Sequence, residues 1–484
     1  MTGSETVRRW GMVWPLLVLL GAPGAYGADE RAADAASNAL AREILKELVA
    51  INTTDSVGNV TQAAEAAARR LQGAGFAASD MQILGPNERK KNLVVRYPGT
   101  GRHKPVLLIG HLDVVEAPRE QWSTDPFTLT EKDGYFYGRG TLDMKHGDAV
   151  MLATLIRLKH EGYRPSRDII VALTADEEGG CCNGVDWLLR NERPLIDAEF
   201  VLNLDEGRSI MTEDHKPRFY RLVATEKVYG DYLLTAVNPG GHSSMPVPDN
   251  AIYELAAALA RVARYQFPFE LNGVTRQYYE ARARLESGQR AADMRAILHE
   301  PADPAAIVRL SLDPNDNSTL RTTCVATRLS GGQANNALPQ RAQALVNCRV
   351  LPGHSLAEVQ HTLAEVIADP RIRVQFVSDD GAVHDTAPDR SGFAPPPLPR
   401  EILAPLQKLV GQMWPGLIVV PAMEPGASDS IYTVAAGMPS YIITGFANDR
   451  DNLREHAADE RILIDSFDRG NEFFYRYLKA ITAH

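Results

Sequence analysis

The sequence predicts an α/β protein with a mostly parallel sheet, interrupted by a smaller ferredoxin-like unit of order β-α-β-β-α-β. Three observations predict it. At 484 residues the chain is too long for one hydrophobic core, so two domains are expected. Its first part alternates apolar strand-like runs with segments of helical period. Its middle changes to strands that follow one another with two helices between them, and then the alternation returns.

The first part opens with helical spacing in "ASNALAREILKELVAI" and again in "TQAAEAAARRLQGAGF", which ends at glycine. A strand and turn follow in "NLVVRYPG", then a buried strand in "KPVLLIGHLDVV". "GDAVMLATLIRLKH" reads as a helix, "RDIIVALTADEE" as a strand, "GVDWLLRN" as a helix and "AEFVLNLDEG" as a strand. In the middle, "VYGDYLLTAVNPGG", "TTCVATRLSGG", "AQALVNCRVLPG" and "RIRVQFVS" are the strands of the small unit. "NAIYELAAALARVARY" and "SLAEVQHTLAEVIAD" are its helices. About fifty residues, 266–320, interrupt it with charged, partly helical sequence of no evident purpose. After the Pro-rich connector "FAPPPLPR" come a helix, "EILAPLQKLVGQMW", and a strand, "PSYIITGF". The resulting division is 36–228 and 380–484 for the α/β domain, with 229–379 inserted between them.

Residues 1–27 are a separate case. Arg8 and Arg9 precede a short apolar run from Met12 to Leu20, and small residues follow at Ala25 and Gly27. That is the pattern of a cleaved export signal, and the run is shorter than the ~20 residues a membrane-spanning helix needs. The mature chain is therefore expected to be periplasmic or secreted, with no membrane attachment. A net charge of −10 without any Lys/Arg run argues against nucleic acid or an anionic membrane as partner. Four cysteines are too few for a disulfide scaffold. Cys181 and Cys182 are adjacent and awkward to pair. Cys324 and Cys348 lie on two runs that would face each other in a hairpin, so they are either bridged or two buried thiols.

Acidic and His-containing motifs stand at the carboxyl ends of the apolar runs, where open α/β sheets gather their ligand sites. They are "GHLDVV" with His111 and Asp113, "ADEEGG" with Glu177 and Glu178, and "NLDEG" with Asp205 and Glu206. "GRGTLDMKHG" places Asp143 in a glycine-punctuated loop, and "REHAADERI" places His456 after the last strand. Each has a plainer reading alone: a capping His at 111, a solvated helix start at 177–178, a surface His at 456. Together they bring to one sheet edge more carboxylates than can stay ionised without a cation. A mixed His/carboxylate set suits zinc, with cobalt or manganese as alternatives. Two ions need a bridging carboxylate, and Asp143, alone in its loop, is the natural one.

Here the chain resembles the M20 metallopeptidases, whose relatives include carboxypeptidase S-like enzymes, aminoacylases and dipeptidases. The resemblance rests on "GHLDVV", "GRGTLDMK", "TADEEGG", "NLDEG", "GGHSSMP" and "EHAADERI", in the family's order over about residues 40–470. It implies a dinuclear metal hydrolase with an inserted lid and dimerisation domain. Asp143 would bridge two divalent ions; His111 and Asp205 would complete one site, Glu178 and His456 the other. Asp113 would hold the tautomer of His111, and Asp143–Met144 would be a cis peptide. Glu177 would act as general base toward the attacking water and then as acid toward the leaving nitrogen, while Asp176 turns to a cap or to solvent. His242, reaching the active site of a partner subunit, would stabilise the oxyanion. Asn336 and Arg349 would grip the substrate carboxylate, and Gly426 would line the pocket. The substrate class implied is a small peptide or N-acyl amino acid cut beside a free carboxylate, in a homodimer joined through the lid. Two rivals stand beside it. One is a cytosolic deacylase of N-acetylornithine or succinyl-diaminopimelate, which the export signal opposes. The other is a non-catalytic binding protein, which predicts loss of Glu177 or of a ligand.

Overall fold

The computed structural model describes residues 28–205, 209–210, 218–378, 381–388, 395–448 and 454–483. The export signal read over 1–27, and Glu206, lie outside the described residues. No helix among the described residues is long and apolar enough to cross a membrane.

The larger sheet has eight strands, in the order Met81–Leu84, Asn92–Tyr97, Ile169–Thr174, Val106–His111, Phe200–Asn203, Ser440–Ile442, Tyr220–Glu226 and Val419–Glu424. At its centre, Val106–His111 runs parallel to both Ile169–Thr174 and Phe200–Asn203, and Ser440–Ile442 continues parallel to the latter. The expectation of a mostly parallel sheet needs correction, because the sheet is mixed. Met81–Leu84 pairs antiparallel with Asn92–Tyr97, and that strand antiparallel with Ile169–Thr174. The link 85–91 is too short for a crossover helix, so it can only turn the chain back as a hairpin.

The central strands are buried along their whole length, which is why they read as continuous apolar runs. Successive side chains serve opposite cores. Leu108, Val171 and Leu202 join the core beneath helices Ala28–Ala50, Lys145–His160 and Ile464–Thr482. Leu107, Ile109, Ile170 and Val201 join a smaller core with Leu188 of helix Gly184–Asn191.

A second sheet, of five antiparallel strands, is built from the middle of the chain. Its order is Thr323–Gly331, Arg341–Val350, Val228–Val237, Ile372–Val377 and Val383–His384. Helices Ala251–Arg264 and Leu356–Ile367 share a core with it that includes Tyr232, Leu234, Val346, Leu255 and Leu363. Cys324 faces Cys348 across Thr323–Gly331 and Arg341–Val350, and the two are joined as a disulfide, which decides between bridge and thiols. Cys181 and Cys182 are also joined to each other, although their adjacency makes that pairing awkward. Gly179 and Gly180, both at positive φ, give the chain the path into that closed pair.

Residues 266–320 prove to be four short helices around Tyr279, Met294, Leu310 and Leu320. They cover the edge of the large sheet, not the small one. Helix Gly273–Leu285 lies along Val419–Glu424, with Tyr278 against Val223, Ala422 and Ile442. The helix thereby closes over the face shared by Val223, Ala422 and Ile442 at this end of the sheet.

Candidate active site

Parallel register carries three motifs to one place. His111 ends its strand level with Thr174 of the neighbour, and Ile109 stands level with Asn203 on the other side. The residues that follow, 113, 176–178 and 205, therefore leave the same sheet edge side by side. Two further segments are brought in by hydrogen bonding. Strand Arg461–Leu463 pairs antiparallel with Tyr135–Tyr137, which sets His456 beside the loop that carries Asp143. Glu460 then ties that loop down. Its Oε1 accepts from the backbone N–H groups of Gly140 (3.1 Å), Leu142 (2.6 Å) and Asp143 (3.1 Å), and its Oε2 accepts from Arg139 Nη1 (2.6 Å). On the far side of the cis Asp143–Met144 peptide, buried Lys145 donates to Leu48 O and Ile51 O at the end of the first helix.

The five expected ligands meet. His111 Nε2 lies 3.1 Å from Asp143 Oδ1 and 3.9 Å from Asp205 Oδ2. His456 Nε2 lies 3.1 Å from Asp143 Oδ2 and 2.9 Å from Glu178 Oε2. His111, Asp143 and Asp205 form one group that can hold an ion, and Asp143, Glu178 and His456 form another, with Asp143 common to both. Glu177 Oε2 is 4.0 Å from His111 Nε2, beside the pair. Burial pushes the Glu177 carboxyl well above its ordinary range and Glu178 up to about 7. The hydrogen bonds to Asp143 and Glu178 push the His456 imidazole up to about 10. Such a set fits cations: two imidazoles and a shared carboxylate are a zinc-type donor set, and bound positive charge is what lets the buried acids ionise.

Other expectations meet the structure with differences. Asp113 orients His111 through its backbone carbonyl, 3.1 Å from Nδ1; the carboxylate Oδ1 lies 3.7 Å away. That carboxylate instead accepts the N–H groups of Glu177 (3.2 Å) and Glu178 (3.0 Å), clamping the acidic turn. Asp176 does not turn to solvent. It is buried at φ +57 and ion-paired with Lys90, because the turn that presents Glu177 outward sends its neighbour inward. Arg349 and Gly426 line the same cavity of about 790 Å³ as Asp143, Glu177, Glu178 and His456. Arg349 stacks over Tyr229, 4.8 Å from the ring centre. His242 and Asn336 are not among the residues lining it. They sit together on the small exposed pairing of Gly241–His242 with Ala337–Leu338, where Ser243 N donates to Asn336 O.

Sequence reading missed Asp429. It lies in "EPGASDS", the run read only for Gly426, and its carboxylate enters the cavity wall. Asn183 Nδ2 donates to Asp429 Oδ1 (2.6 Å) and Thr174 Oγ1 to Oδ2 (3.2 Å), while burial pushes its carboxyl up to about 6. His384, given no role from sequence, also lines the cavity, with Nε2 3.1 Å from Ser378 Oγ.

Comparison with known proteins agrees with this geometry. Residues 107–480 match the model of peptidase family M20/M25/M40. The chain is 28% identical over 391 residues to the human N-fatty-acyl-amino acid synthase/hydrolase PM20D1, covering 78% of this chain and 74% of that protein. It is 28% identical over 390 residues to a probable carboxypeptidase S-like 2 from Dictyostelium discoideum, covering 78% and 71%. The fold is similar to that of an M20 family metallo-carboxypeptidase from Sulfolobus solfataricus, with a TM-score of 0.69 and 16% identity over 92% of this chain and 99% of that one. With a family model spanning most of its length and the ligand constellation assembled at its sheet edge, the chain belongs to peptidase family M20/M25/M40 and is a hydrolase of that family.

Proposed function

We propose that the protein is an exported dinuclear zinc amidohydrolase, cutting an amide bond next to a free carboxylate in small peptides or N-acyl amino acids. The observation that carries this reading is the pair of three-residue groups joined through Asp143, with Glu177 at their edge. Two divalent ions, zinc or else cobalt or manganese, would be held by His111, Asp143 and Asp205 and by Asp143, Glu178 and His456. When bound, they supply Lewis-acid polarisation of the scissile carbonyl and of the attacking water. The protein's own residues do the rest. Glu177 takes a proton from the water and returns it to the leaving nitrogen. Asp113 keeps the Glu177–Glu178 turn fixed by its two backbone hydrogen bonds. Arg349, lining the same cavity, offers a fork for the substrate carboxylate, with Gly426 leaving room for it.

His242 and Asn336, exposed and together, suit a role in the active site of a second copy, with the five-stranded unit as lid and dimer contact. The relatives named for N-fatty-acyl-amino acids and for carboxypeptidase S support both substrate classes. Replacing Glu177 by Ala tests the reading. Metal content is expected to stay at the wild-type level, while kcat falls by about 10²–10⁴. Wild-type turnover in that variant, or a wild type that hydrolyses neither dipeptides nor acyl-amino acids when loaded with zinc, sinks it. Sequencing the mature N-terminus after expression with an intact leader tests export; an uncut cytosolic chain favours the biosynthetic deacylase instead.

A further inference from the structure

Directly behind the Glu177–Glu178 turn the chain runs Gly179, Gly180, Cys181, Cys182, Asn183, and the two cysteines are bonded to each other. Both line the cavity that holds Glu177, Glu178, Asp143 and His456. Amide hydrolysis needs no sulfur at this position. The loop is tied firmly at its two ends. Upstream, Asp113 holds the N–H groups of 177 and 178. Downstream, Gly184 N donates to Ala175 O (2.7 Å), and Asn183 both caps helix Gly184–Asn191 and holds Asp429. Between those ties stand two glycines at φ +142 and +121, the residues with the most backbone freedom to lose. Gly180 cannot be replaced to stiffen the loop, since a Cβ there would lie 2.5 Å from the Asp176 carboxylate. A bridge between neighbouring residues is a way to remove that freedom without adding bulk on the Asp176 side.

We propose that the Cys181–Cys182 disulfide is a positioning element of the catalytic cavity and a thiol–disulfide exchange site, so that its reduction slows hydrolysis reversibly. The effect on turnover rests on the hydrolase reading above. The exchange needs an external dithiol. One of its thiolates attacks Sγ of Cys181, the exposed partner; the S–S bond breaks and Cys182 leaves as a thiolate that takes up a proton. The reagent's second thiolate then attacks the mixed disulfide, releasing Cys181 as a thiol and the reagent as a disulfide. The protein gains two electrons and two protons, and the dithiol loses them. The Cys324–Cys348 bridge, with Cys348 wholly buried, is shielded on that side and serves as the internal contrast.

The test uses the full mature protein loaded with Mn²⁺, a hard ion that thiolates bind poorly. The protein is treated with dithiol and desalted under argon, and thiols, kcat, KM and Mn²⁺ affinity are measured before and after reoxidation. Two thiols per chain are expected, with kcat down about tenfold or more, KM changed less, Mn²⁺ bound severalfold more weakly, and all values restored by reoxidation. The double variant Cys181→Ser/Cys182→Ser is expected to be slow from the start and indifferent to dithiol. Two thiols appearing with unchanged kcat and unchanged Mn²⁺ affinity overturn the proposal. So does failure of any thiol to appear, or a double variant as fast as the oxidised wild type, or one that dithiol slows further. An oxidised wild type that binds Mn²⁺ but hydrolyses nothing refutes the hydrolase reading alone. The thiol count and the Mn²⁺ affinity then still decide on the bridge.

Discussion

At the scale of single residues, Glu460 carries more of the site than its place in the His456 motif announces. One oxygen gathers three backbone N–H groups of the Asp143 loop and the other pairs with buried Arg139. Glu460→Gln leaves that guanidinium without its counter-charge. It is expected to cost about 3–5 kcal/mol of stability and ~10–100-fold in metal affinity. Denaturant unfolding and metal titration check both, and wild-type values in each defeat the account. Glu226 gives the site's surroundings a pH signature. Burial pushes its carboxyl from 4.5 to about 8, against the two hydrogen bonds it accepts from Ser428. The unfolded chain releases this proton above about pH 4.5 and the folded chain keeps it to about 8, so this group's stabilisation declines between those values and is level beyond. Glu226→Gln is expected to shrink the loss of stability between pH 5 and pH 8, measured by unfolding at both; an unchanged difference refutes it. The candidate ligands His111, Asp143, Glu178, Asp205 and His456 were legible because each is a chemically distinctive residue at the end of an apolar run or in a glycine-rich loop. Glu460, Asp429 and Asn183 were not, because their partners are groups hundreds of positions away that no local spacing displays. Asp113 stands behind His111 as the resemblance implied, and the contact is made by its backbone carbonyl.

At the scale of elements, burial was easier to read than direction. The runs at 106–111 and 169–174 announce strands covered on both faces, yet the same pattern is compatible with either orientation of the strand at 92–97. Link length settles only its direction against 81–84, since 85–91 leaves no room for a crossover, while its antiparallel pairing with 169–174 joins segments over seventy positions apart. The segment 266–320 was opaque for another reason. Its apolar residues are spread over four helices too short to show a clear period, and its place is defined by the distant sheet face it packs on. Glu286 helps seat it. Burial works against the charge of Glu286, but the hydrogen bond from Arg282 and the charges of Arg282 and Arg218 more than offset this and hold its carboxyl below the ordinary value. A depressed carboxyl contributes stability that is present above its unfolded pKa and lost as pH falls through the lower folded one. Glu286→Gln is therefore expected to lower stability at pH 7 and to converge with wild type below about pH 4. Thermal unfolding at the two pH values checks it; a difference that persists undiminished in acid argues against a charge effect. Hydrogen exchange along Gly273–Leu285 locates the loss, which should appear there first.

At the scale of the whole molecule, the cation site is where distant parts of the chain meet. The candidate ligands come from 111, 143, 178, 205 and 456, so ions held by them would join three adjacent strand ends to the loop after Tyr135–Tyr137 and to the segment before the last helix. Among these contacts, only part is held by the protein alone: the strand ends by the sheet, the Asp143 loop by Glu460 and Lys145. His456 is held less well. It sits at φ +62, a conformation costly for a residue with a Cβ, and its side chain is 54% exposed. Its position thus depends on what its ring binds, here the carboxylates of Asp143 and Glu178. Metal held by this assembled site and not by the unfolded chain would contribute stability by mass action, about 2.7 kcal/mol when free metal is at a hundred times its Kd. Chelation is expected to abolish hydrolysis, lower the unfolding temperature, and raise hydrogen exchange around 454–460 more than in the strands 106–111 and 169–174. Readdition of zinc should restore all three. If the chelated protein loses activity while its unfolding temperature and exchange at 454–460 stay as they were, the site is preformed and the ions do not hold the C-terminal segment in place.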